Sequence, residues 1–532
     1  MKRFVLTSAL LTPTLALLLT LFAPANASAT TYYVSTSGSD TNNGTAKTTP
    51  WAHVPGMPSA TGTAGSYKAV AGDTIILKGC DVWYNTGGNF PLEFTHGGSS
   101  GNPVKITVDQ TWYNTTNCPS AWNRPVFDGH TSSSSTTGTQ IGGSTSGCVG
   151  GNGNYFVMFS ASYITLDFVE LRNLYYANDA ENSCYGGNGW FHVSSADYVT
   201  VSNGYEHDWK MGPYNANSVN DADELVLIDG SPLCPHCLLT HNVANNCAST
   251  SGSGTQPGGA LSFVNVTYSI YKCLSNAYKP IMAGEFGWNE ITQNGESPDP
   301  TIHANCIETL DSLDGGVYYI HDNRVHDNYD CEEMQIGNPG ETDYVWNNIF
   351  YLPGPGANGP EVPQSETPVA FYFWNNTIVD SDGCIHDAAH GYSWSKAFYS
   401  QNNLCIGATN SNGSGSPSAS PTVISNNLGM TDAQAATAGF TATEAIPFAP
   451  SSASAATIGA GVSVSIFPAG FAKQDASLIC TQQTVNTVVE SVCTGTPIPR
   501  SASGAWDVGA YSFSASASSK PNPPTNIKAT AQ

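Results

Sequence analysis

The residues whose types and spacing suit chemistry are acidic side chains that recur about one repeat apart. Glu308 follows Ile307 and Glu333 precedes Met334, and the two apolar residues are 27 positions apart. Side chains alternate between the two faces of a strand, so burial of Ile307 and Met334 would turn both glutamates outward. If each repeat is one turn of a stacked coil, the two carboxylates become vertical neighbours about 4.8 Å apart.

Carboxylates at that spacing repel each other and require a cation, a shared proton or an ion-pair partner. A carboxyl with a raised pKa beside an ionised one is the acid–base pair of a glycosidase, and a separation of about 5 Å predicts retention. Carboxylates that bind Ca²⁺, together with a basic side chain, suit β-elimination from a uronic acid, because the metal neutralises the sugar carboxylate and the base removes the C5 proton. The alternative without catalysis is a solvated ladder of ion pairs.

Basic candidates are few, because charged residues make up only 11% of the chain. Lys279 comes two residues before Ile281, which lies 26 positions before Ile307, and this spacing places Lys279 near the two glutamates. Lys210 and Arg324 are the other candidates for the base or for neutralising a sugar carboxylate. The remaining candidates are His303 for catalysis and four oxygen ligands for Ca²⁺: Asp221, Asp223, Glu224 and Asp330.

Aromatic residues in or near predicted turns are candidates for packing on sugar rings. They are Tyr175, Tyr176, Trp190, Tyr214, Trp288 and Tyr329. Trp209 next to Lys210 is a further pairing of the kind that a sugar subsite uses, although a structural turn is the favoured interpretation there.

A recurring Asn phrase indicates the elements that must position these groups. Its asparagines are Asn289, Asn323, Asn347, Asn375, Asn402 and Asn426, with steps of 34, 24, 28, 27 and 24 residues. Periods of this size predict stacked units. Each unit contains short strands and no long amphipathic stretch, which excludes two-helix repeats. Asn tolerates the left-handed conformation of a sharp corner, and its stacked amide can donate to the next coil and accept from the previous one.

Two terminal motifs are similar to those of a known superfamily. The stretch 32–40 with 43–45, followed by 71–77 (Ala-Gly-Asp-Thr-Ile-Ile-Leu), resembles the N-terminal cap and first coil of secreted pectate-lyase-like β-helix proteins. Near the other end, 506–511 (Trp-Asp-Val-Gly-Ala-Tyr) resembles their closing strand. The resemblance implies an all-β, single-stranded right-handed parallel β-helix with an N-terminal cap and an irregular C-terminal region. The superfamily includes lyases, hydrolases, epimerases and binders, so the resemblance indicates a fold more than an activity.

The N-terminal residues are typical of a secretory signal, with Lys2 and Arg3 before an apolar run and small residues at 25–29. We expect a signal peptide over 1–29, the β-helix domain over 30–515 and a flexible tail over 516–532. The formal charge is −24; without Lys2 and Arg3 it is −26, from 15 basic and 41 acidic residues. Nucleic acid and anionic membranes are poor partners for such a surface.

Fourteen cysteines in a secreted chain predict several disulfides. Cys480 and Cys493 are the best pair by spacing, and Cys234-Pro-His-Cys237 is interpreted as a structural disulfide rather than a zinc or redox motif. The sequence predicts a secreted, monomeric, carbohydrate-active protein, with Ca²⁺ as the one cofactor considered. The first hypothesis is a polysaccharide lyase acting on an acidic polysaccharide. A glycoside hydrolase and a non-catalytic glycan-binding solenoid are the alternatives.

Overall fold

The structure is a computed structural model. It describes residues 28–135, 155–176, 189–211, 224–229, 234–247, 260–261, 264–274, 278, 283–293, 304–309, 315–328, 331–332, 334, 340–353, 370–379, 397–407, 422–440, 446–452 and 454–513. The expected signal peptide (except for 28–29) and the expected tail lie outside these residues. Within the described part of the chain, no helix is both long and apolar enough to cross a membrane.

Two long parallel sheets dominate the fold. The first long sheet has thirteen strands. In spatial order, which is also chain order, they are β1 (Thr31–Val34), β2 (Thr74–Gly79), β5 (Val104–Tyr113), β8 (Ile164–Asp167), β12 (Val199–Ser202), β16 (Leu238–Thr240), β19 (Asn265–Thr267), β21 (Glu285–Gly287), β24 (Val317–His321), β27 (Thr342–Trp346), β29 (Ala370–Trp374), β31 (Ala397–Gln401) and β33 (Thr422–Ser425).

The second long sheet has twelve strands in the same kind of order. They are β3 (Val82–Tyr84), β6 (Val126–Asp128), β9 (Glu170–Arg172), β13 (Tyr205–His207), β17 (Val243–Asn245), β20 (Ile270–Lys272), β22 (Glu290–Thr292), β25 (Arg324–Asn328), β28 (Ile349–Pro353), β30 (Thr377–Val379), β32 (Leu404–Ile406) and β34 (Leu428–Met430). From β2 onward, strands alternate between the two long sheets along the chain, so each turn of chain contributes one strand to each of them. This is the predicted right-handed parallel β-helix.

Smaller elements complete the coils. A five-stranded parallel sheet contains β4 (Leu92–Phe94), β7 (Tyr155–Phe159), β11 (Gly189–Ser194), β15 (Glu224–Asp229) and β18 (Ala260–Leu261). Two parallel pairs are β10 (Tyr175–Tyr176) with β14 (Lys210–Met211), and β23 (Ala304–Asn305) with β26 (Cys331–Glu332). An antiparallel hairpin joins β35 (Ile479–Val485) to β36 (Val488–Thr494), and the helices are α1 (Gly62–Ser66) and α2 (Asp432–Ala438).

Inward side chains stack coil upon coil and form one continuous apolar core. In the first long sheet, for example, Ile320 pairs with Val345 and Val345 pairs with Phe373, and all three are fully buried. A solenoid core grows in one dimension, so a long chain needs no second globular core.

The corner between the two long sheets is built from two consecutive residues with different roles. The first has a left-handed backbone, as at Asn347 (φ 57°) and Asn375 (φ 53°). The second, Asn348 or Asn376, is buried and forms the Asn ladder. The ladder amides belong to Asn289, Asn323, Asn348, Asn376, Asn403 and Asn427. The predicted ladder is therefore confirmed, but its members after Asn323 lie one residue later than the sequence phrase suggested.

Each ladder Asn makes the same bonds to the next coil. The backbone N–H and side-chain Nδ2 of Asn348 both donate to Oδ1 of Asn376, at 2.9 and 3.1 Å. Asn376 repeats both bonds to Asn403, at 2.9 and 3.1 Å. The ladder thus satisfies a backbone donor that the corner would otherwise leave buried without an acceptor.

The disulfides in the described part of the chain include Cys80–Cys118, Cys234–Cys237, Cys247–Cys273 and Cys480–Cys493. Cys306 and Cys405 are disulfide-bonded as well. The predicted Cys480–Cys493 pair and the disulfide interpretation of Cys234–Cys237 are confirmed. Disulfides are the expected pairing in an oxidising compartment.

The C-terminal region wraps around the outside of the coils. The side chain of Arg124 is 1% exposed, and its Nη1 donates to the carbonyl of Val489 in the hairpin at 2.6 Å. The 506–511 motif is not a strand, and the predicted closing strand is wrong. The last strand of the second long sheet is β34. The 506–511 segment instead packs against outward residues of that sheet through Val508, Ala510 and Tyr511.

One inward position in the apolar core carries an acid. Glu206 of β13 pairs with Leu171 and Ala244, both core residues, and is 3% exposed. Its Oε1 has no hydrogen-bond partner. Burial raises the pKa of Glu206 from its ordinary value of 4.5 to about 8, and the nearby guanidinium of Arg124 offsets only part of that rise.

The Asn ladder should contribute measurably to stability. We expect Asn376→Ala to lower the free energy of unfolding by about 2 kcal/mol, because the N–H and Nδ2 of Asn348 lose their acceptor while remaining buried. Chemical denaturation measures this change. Asn102→Ala, at an exposed Asn outside the ladder, is the control and should change stability by less than about 0.5 kcal/mol. Equal effects of the two substitutions would contradict the role of the ladder.

The buried acid should make stability depend on pH. Glu206 is protonated in both folded and unfolded chains below about pH 4.5. As pH rises toward 8 only the unfolded chain ionises freely, so stability falls across this window by up to roughly 5 kcal/mol. Glu206→Gln should remove most of that loss in unfolding measurements between pH 5 and pH 8, whereas Asp432→Asn at exposed α2 should not. An unchanged pH slope in Glu206→Gln would contradict the assignment.

Candidate functional site

A row of four tyrosines runs along the outer face of the first long sheet. Tyr319, Tyr344, Tyr372 and Tyr399 are consecutive partners in the parallel register of β24, β27, β29 and β31. Successive ring centroids are 5.7, 4.6 and 5.1 Å apart, with interplanar angles of 12°, 7° and 22°. All four side chains are half-buried. We call this set the tyrosine row.

The tyrosine row presents ring edges and hydroxyls rather than ring faces, because each ring is covered by its neighbours. Within the described residues, none of the four hydroxyls has a protein hydrogen-bond partner. Burial raises the pKa of Tyr344 and Tyr372, helped by the adjacent tyrosines, so both hydroxyls are neutral at ordinary pH and can donate and accept.

A second outward column forms one wall beside the tyrosine row. His321 stacks on Trp346 with centroids 4.4 Å apart, and Trp374 occupies the same column one coil later. The C-terminal residues Phe467 and Phe471 pack on this column: Phe467 lies 5.9 Å from Trp374, and Phe471 lies 5.2 Å from Trp346. The tyrosine row is therefore flanked by an aromatic wall on one side, and we call the surface formed by the row and this wall the groove.

A carboxylate stands at one end of the tyrosine row. Glu285 pairs with Tyr319 in the register of β21 and β24, and its side chain is 29% exposed. Its Oε1 lies 3.2 Å from Nε2 of His321, whose Nδ1 lies 2.7 Å from Oδ2 of Asp322. Burial lowers the pKa of His321, but the hydrogen bonds to Asp322 and Glu285 have the larger combined effect. The pKa of His321 is therefore raised above its ordinary value, which favours the imidazolium.

The same Glu–His–Asp arrangement occurs twice on the second long sheet. In each case a Glu bonds Nε2 of a His one coil later at 3.2 Å, and the following Asp, with positive φ, bonds Nδ1. The Nδ1 distances are 2.8 and 2.7 Å. The two sets are Glu170, His207 and Asp208, and Glu290, His326 and Asp327. The recurrence indicates a structural device that ties adjacent coils, since one arrangement serves three places.

Arg324, a predicted catalytic residue, belongs to the last of these sets. As expected, Arg324 and His326 flank inward Val325. The guanidinium of Arg324 lies 3.5 Å from Glu290, and its Nη2 donates to the hydroxyl of Tyr351 at 2.9 Å. Arg324 thus lies on the second long sheet, outside the groove of the tyrosine row.

Glu308 lies outside both long sheets, beside the N-terminal ends of the strands of the first long sheet. The backbone N–H of Glu308 donates to the carbonyl of Tyr278 at 2.8 Å, and Ile307 pairs with Tyr278 in a parallel bridge. The next residue, Thr309, donates to Glu341 at 3.4 Å, directly before β27. Ile307 is fully buried as predicted, but its partner is Tyr278 rather than Ile281. Glu308 itself is only 7% exposed.

Other predicted residues are described in part or not at all. Met334 is fully buried, as predicted. Lys210 and Glu224 are described only as strand positions: Lys210 begins β14, and Glu224 begins β15 instead of ending an acidic loop. Lys279, His303, Asp330, Glu333, Asp221 and Asp223 lie outside the described residues.

Two of the predicted sugar-contacting aromatics do not face solvent. Trp190 and Trp209 are fully buried, so the expectation that they contact a ligand is wrong. Both pack inside the coils, where their rings meet edge-on with centroids 6.0 Å apart. Trp288 is half-buried in a stack with Tyr268 at 4.8 Å. Only the backbone of 175–176 is described, and Tyr214 and Tyr329 lie outside the described part.

Buried carboxylates gather near Glu308. Asp343 is fully buried, and neither of its carboxylate oxygens has a hydrogen-bond partner. Burial and the neighbouring carboxylate of Glu341 raise the pKa of Asp343 far above its usual range. Among the described residues, the one group of three metal-type donors within 4.8 Å is Asp197 with Cys234 and Cys237, whose sulfurs form a disulfide. The Ca²⁺ site stays a prediction.

The tyrosine row escaped the sequence reasoning although the sequence contains its signal. Each tyrosine stands four residues before a ladder Asn: Tyr319 before Asn323, Tyr344 before Asn348, Tyr372 before Asn376 and Tyr399 before Asn403. Alignment on the ladder Asn, rather than on the first Asn of each pair, would have placed all four in one column.

Comparisons with known proteins give structural likenesses only. No family profile and no curated protein matches the chain. Among solved structures, a GH136 lacto-N-biosidase from Eubacterium ramulus shares 13% identity at a TM-score of 0.43, covering 76% of this chain and 67% of its own. Pectate lyase Pel9A shares 16% identity at a TM-score of 0.41, covering 92% and 98%. A rhamnogalacturonan lyase shares 12% identity at a TM-score of 0.35, covering 76% and 88%. No functional residue is transferred from them.

Proposed function

We propose that this protein is an extracellular enzyme that binds a polysaccharide along the outer face of its first long sheet. The observation that carries the proposal is the tyrosine row, with one unbonded hydroxyl per coil in register. A polymer lying along the helix axis would meet the same donor and acceptor at each step, while the ring edges offer apolar contact. The disulfides, and the N-terminal stretch from which we predict a signal peptide, support an extracellular location.

The proposed reaction is β-elimination on an acidic polysaccharide. Lys279 would act as the base that removes the C5 proton, with Glu308 and Glu333 orienting substrate or holding Ca²⁺. The contact between Tyr278 and Ile307 supports this assignment, because Lys279 and Glu308 directly follow these paired residues in the sequence. The position of Glu308, beside the N-terminal ends of the strands of the first long sheet, would put the reaction next to the groove.

Hydrolysis is the second candidate, and Glu285 is the observation that favours it. Its carboxylate is half-exposed, lies in line with the tyrosine row and is fixed by His321. Glycosidases require such carboxyl groups at the sugar ring, together with a second one. A binder without catalysis would use the same groove.

The products distinguish the reactions. With a panel of acidic and neutral polysaccharides, β-elimination predicts new ultraviolet absorbance from a conjugated double bond. We expect Lys279→Ala to lower kcat by at least about a hundredfold through loss of the base. Lys68→Ala, at an exposed lysine far along the chain, is the matched control and should retain activity. Reducing ends without absorbance would indicate hydrolysis, and binding without products would indicate a non-catalytic solenoid.

The tyrosine row should govern affinity whichever reaction occurs. We expect Tyr344→Ala to weaken polysaccharide binding about tenfold, because it removes a hydroxyl and opens a gap in the row. Affinity electrophoresis or calorimetry measures this change. Tyr198→Ala is the control: Tyr198 is 41% exposed and also stacked, but it lies at a corner outside the row. Equal losses in the two variants would contradict the assignment.

A further inference from the structure

A basic and aromatic group lies at the opposite end of the first long sheet from the tyrosine row. Trp112, half-buried near the end of β5, has the ammonium of Lys47 at 5.9 Å and that of Lys78 at 5.8 Å from its ring centroid. Tyr33 of β1 meets the same indole edge-on, with centroids 5.4 Å apart. Two ammonium groups therefore share one partly exposed aromatic ring.

The charge of this group is opposite to that of the protein. Lys47 forms an ion pair with Asp109 at 2.5 Å, and hydrogen bonding to Lys47 lowers the pKa of Asp109 to about 2. In the described part of the chain, Lys78 has no carboxylate partner. Lys105, exposed on the outer side of β5, adds a further ammonium to this end of the sheet. A chain of formal charge −24 thus concentrates several of its 17 basic residues at one place.

We propose that Lys47, Lys78 and Trp112 form a binding site for an anionic sugar, of the uronic acid class, separate from the tyrosine row. The sugar ring would pack on the indole while its carboxylate lies between the ammonium groups. Binding would break no ion pair at Lys78. The site rests on the proposed function only in taking the sugar to be part of the same polysaccharide.

The two ends of the sheet would then divide the recognition of one polymer. Where the tyrosine row begins, next to β21, the outward carboxylate of Glu285 favours uncharged hydroxyls as partners. At the end near β1, β2 and β5 the ammonium groups favour carboxylates. A short acidic oligosaccharide should therefore bind more tightly at Trp112 than along the tyrosine row.

Binding of tetragalacturonate to the full chain, measured by calorimetry, tests this site. We expect Lys78→Ala to weaken binding about fivefold and Trp112→Ala to weaken it at least as much. Lys68→Ala removes an equal charge from an exposed position and should leave affinity unchanged. Raising the salt concentration should weaken binding to the wild-type chain, because exposed charges are screened.

The outcomes separate this site from the proposed function. Equal affinities of Lys78→Ala and Lys68→Ala, or equal binding of a neutral tetrasaccharide, would overturn the site and show that the lysines only cover the indole. Tyr344→Ala should leave tetragalacturonate binding unchanged while weakening polymer binding. The site therefore stands or falls independently of the groove, and unchanged thermal midpoints would confirm that the variants are folded.

Discussion

The structure depends on how a buried corner satisfies its backbone donor. In the coils from Asn289 to Asn427, each turn between the two long sheets buries an N–H that has no partner within its own coil, and the side-chain oxygen of an Asn in the next coil accepts it. The same amide then donates onward, so the bonds run along the axis as one chain. A slip of one residue would break the ladder and turn outward side chains into the core. The ladder therefore fixes register for the surface columns of these coils, including the tyrosine row.

Fixed register turns sequence spacing into spatial order. Residues four positions before the ladder Asn become the tyrosine row, although about one coil of chain separates each from the next. The Glu–His–Asp sets arise in the same way. Glu285 and Glu290 each precede their His by 36 residues, so each His reaches diagonally across one coil step to its Glu. A solenoid can in this way repeat a contact without repeating its loops.

The sequence was sufficient to predict the coils but not the C-terminal residues that cover them. The Asn phrase predicts the period and the ladder, and alternation places Ile307, Met334 and Val325 inward. Alternation cannot tell an exposed outward residue from one covered later by distant chain. Trp346 is outward yet buried, because Phe467 and Phe471 return over it more than a hundred residues later. In each Asn-Asn pair, the sequence does not show which residue forms the ladder hydrogen bonds, because either Asn can adopt the left-handed corner conformation. Only the stacking of the coils distinguishes the two.

The length of the first long sheet explains how an acidic protein could bind an acidic ligand. Unpaired surface charges are screened beyond about 10 Å in moderate salt, so short-range groups decide where an anion binds. In a compact domain, a cation cluster and a carboxylate cluster would lie within that distance and cancel. Here β2 and β21 are separated by five intervening strands of the same sheet, so Lys78 and Glu285 act on different parts of a polymer. An elongated fold can therefore favour opposite chemistries on one continuous face.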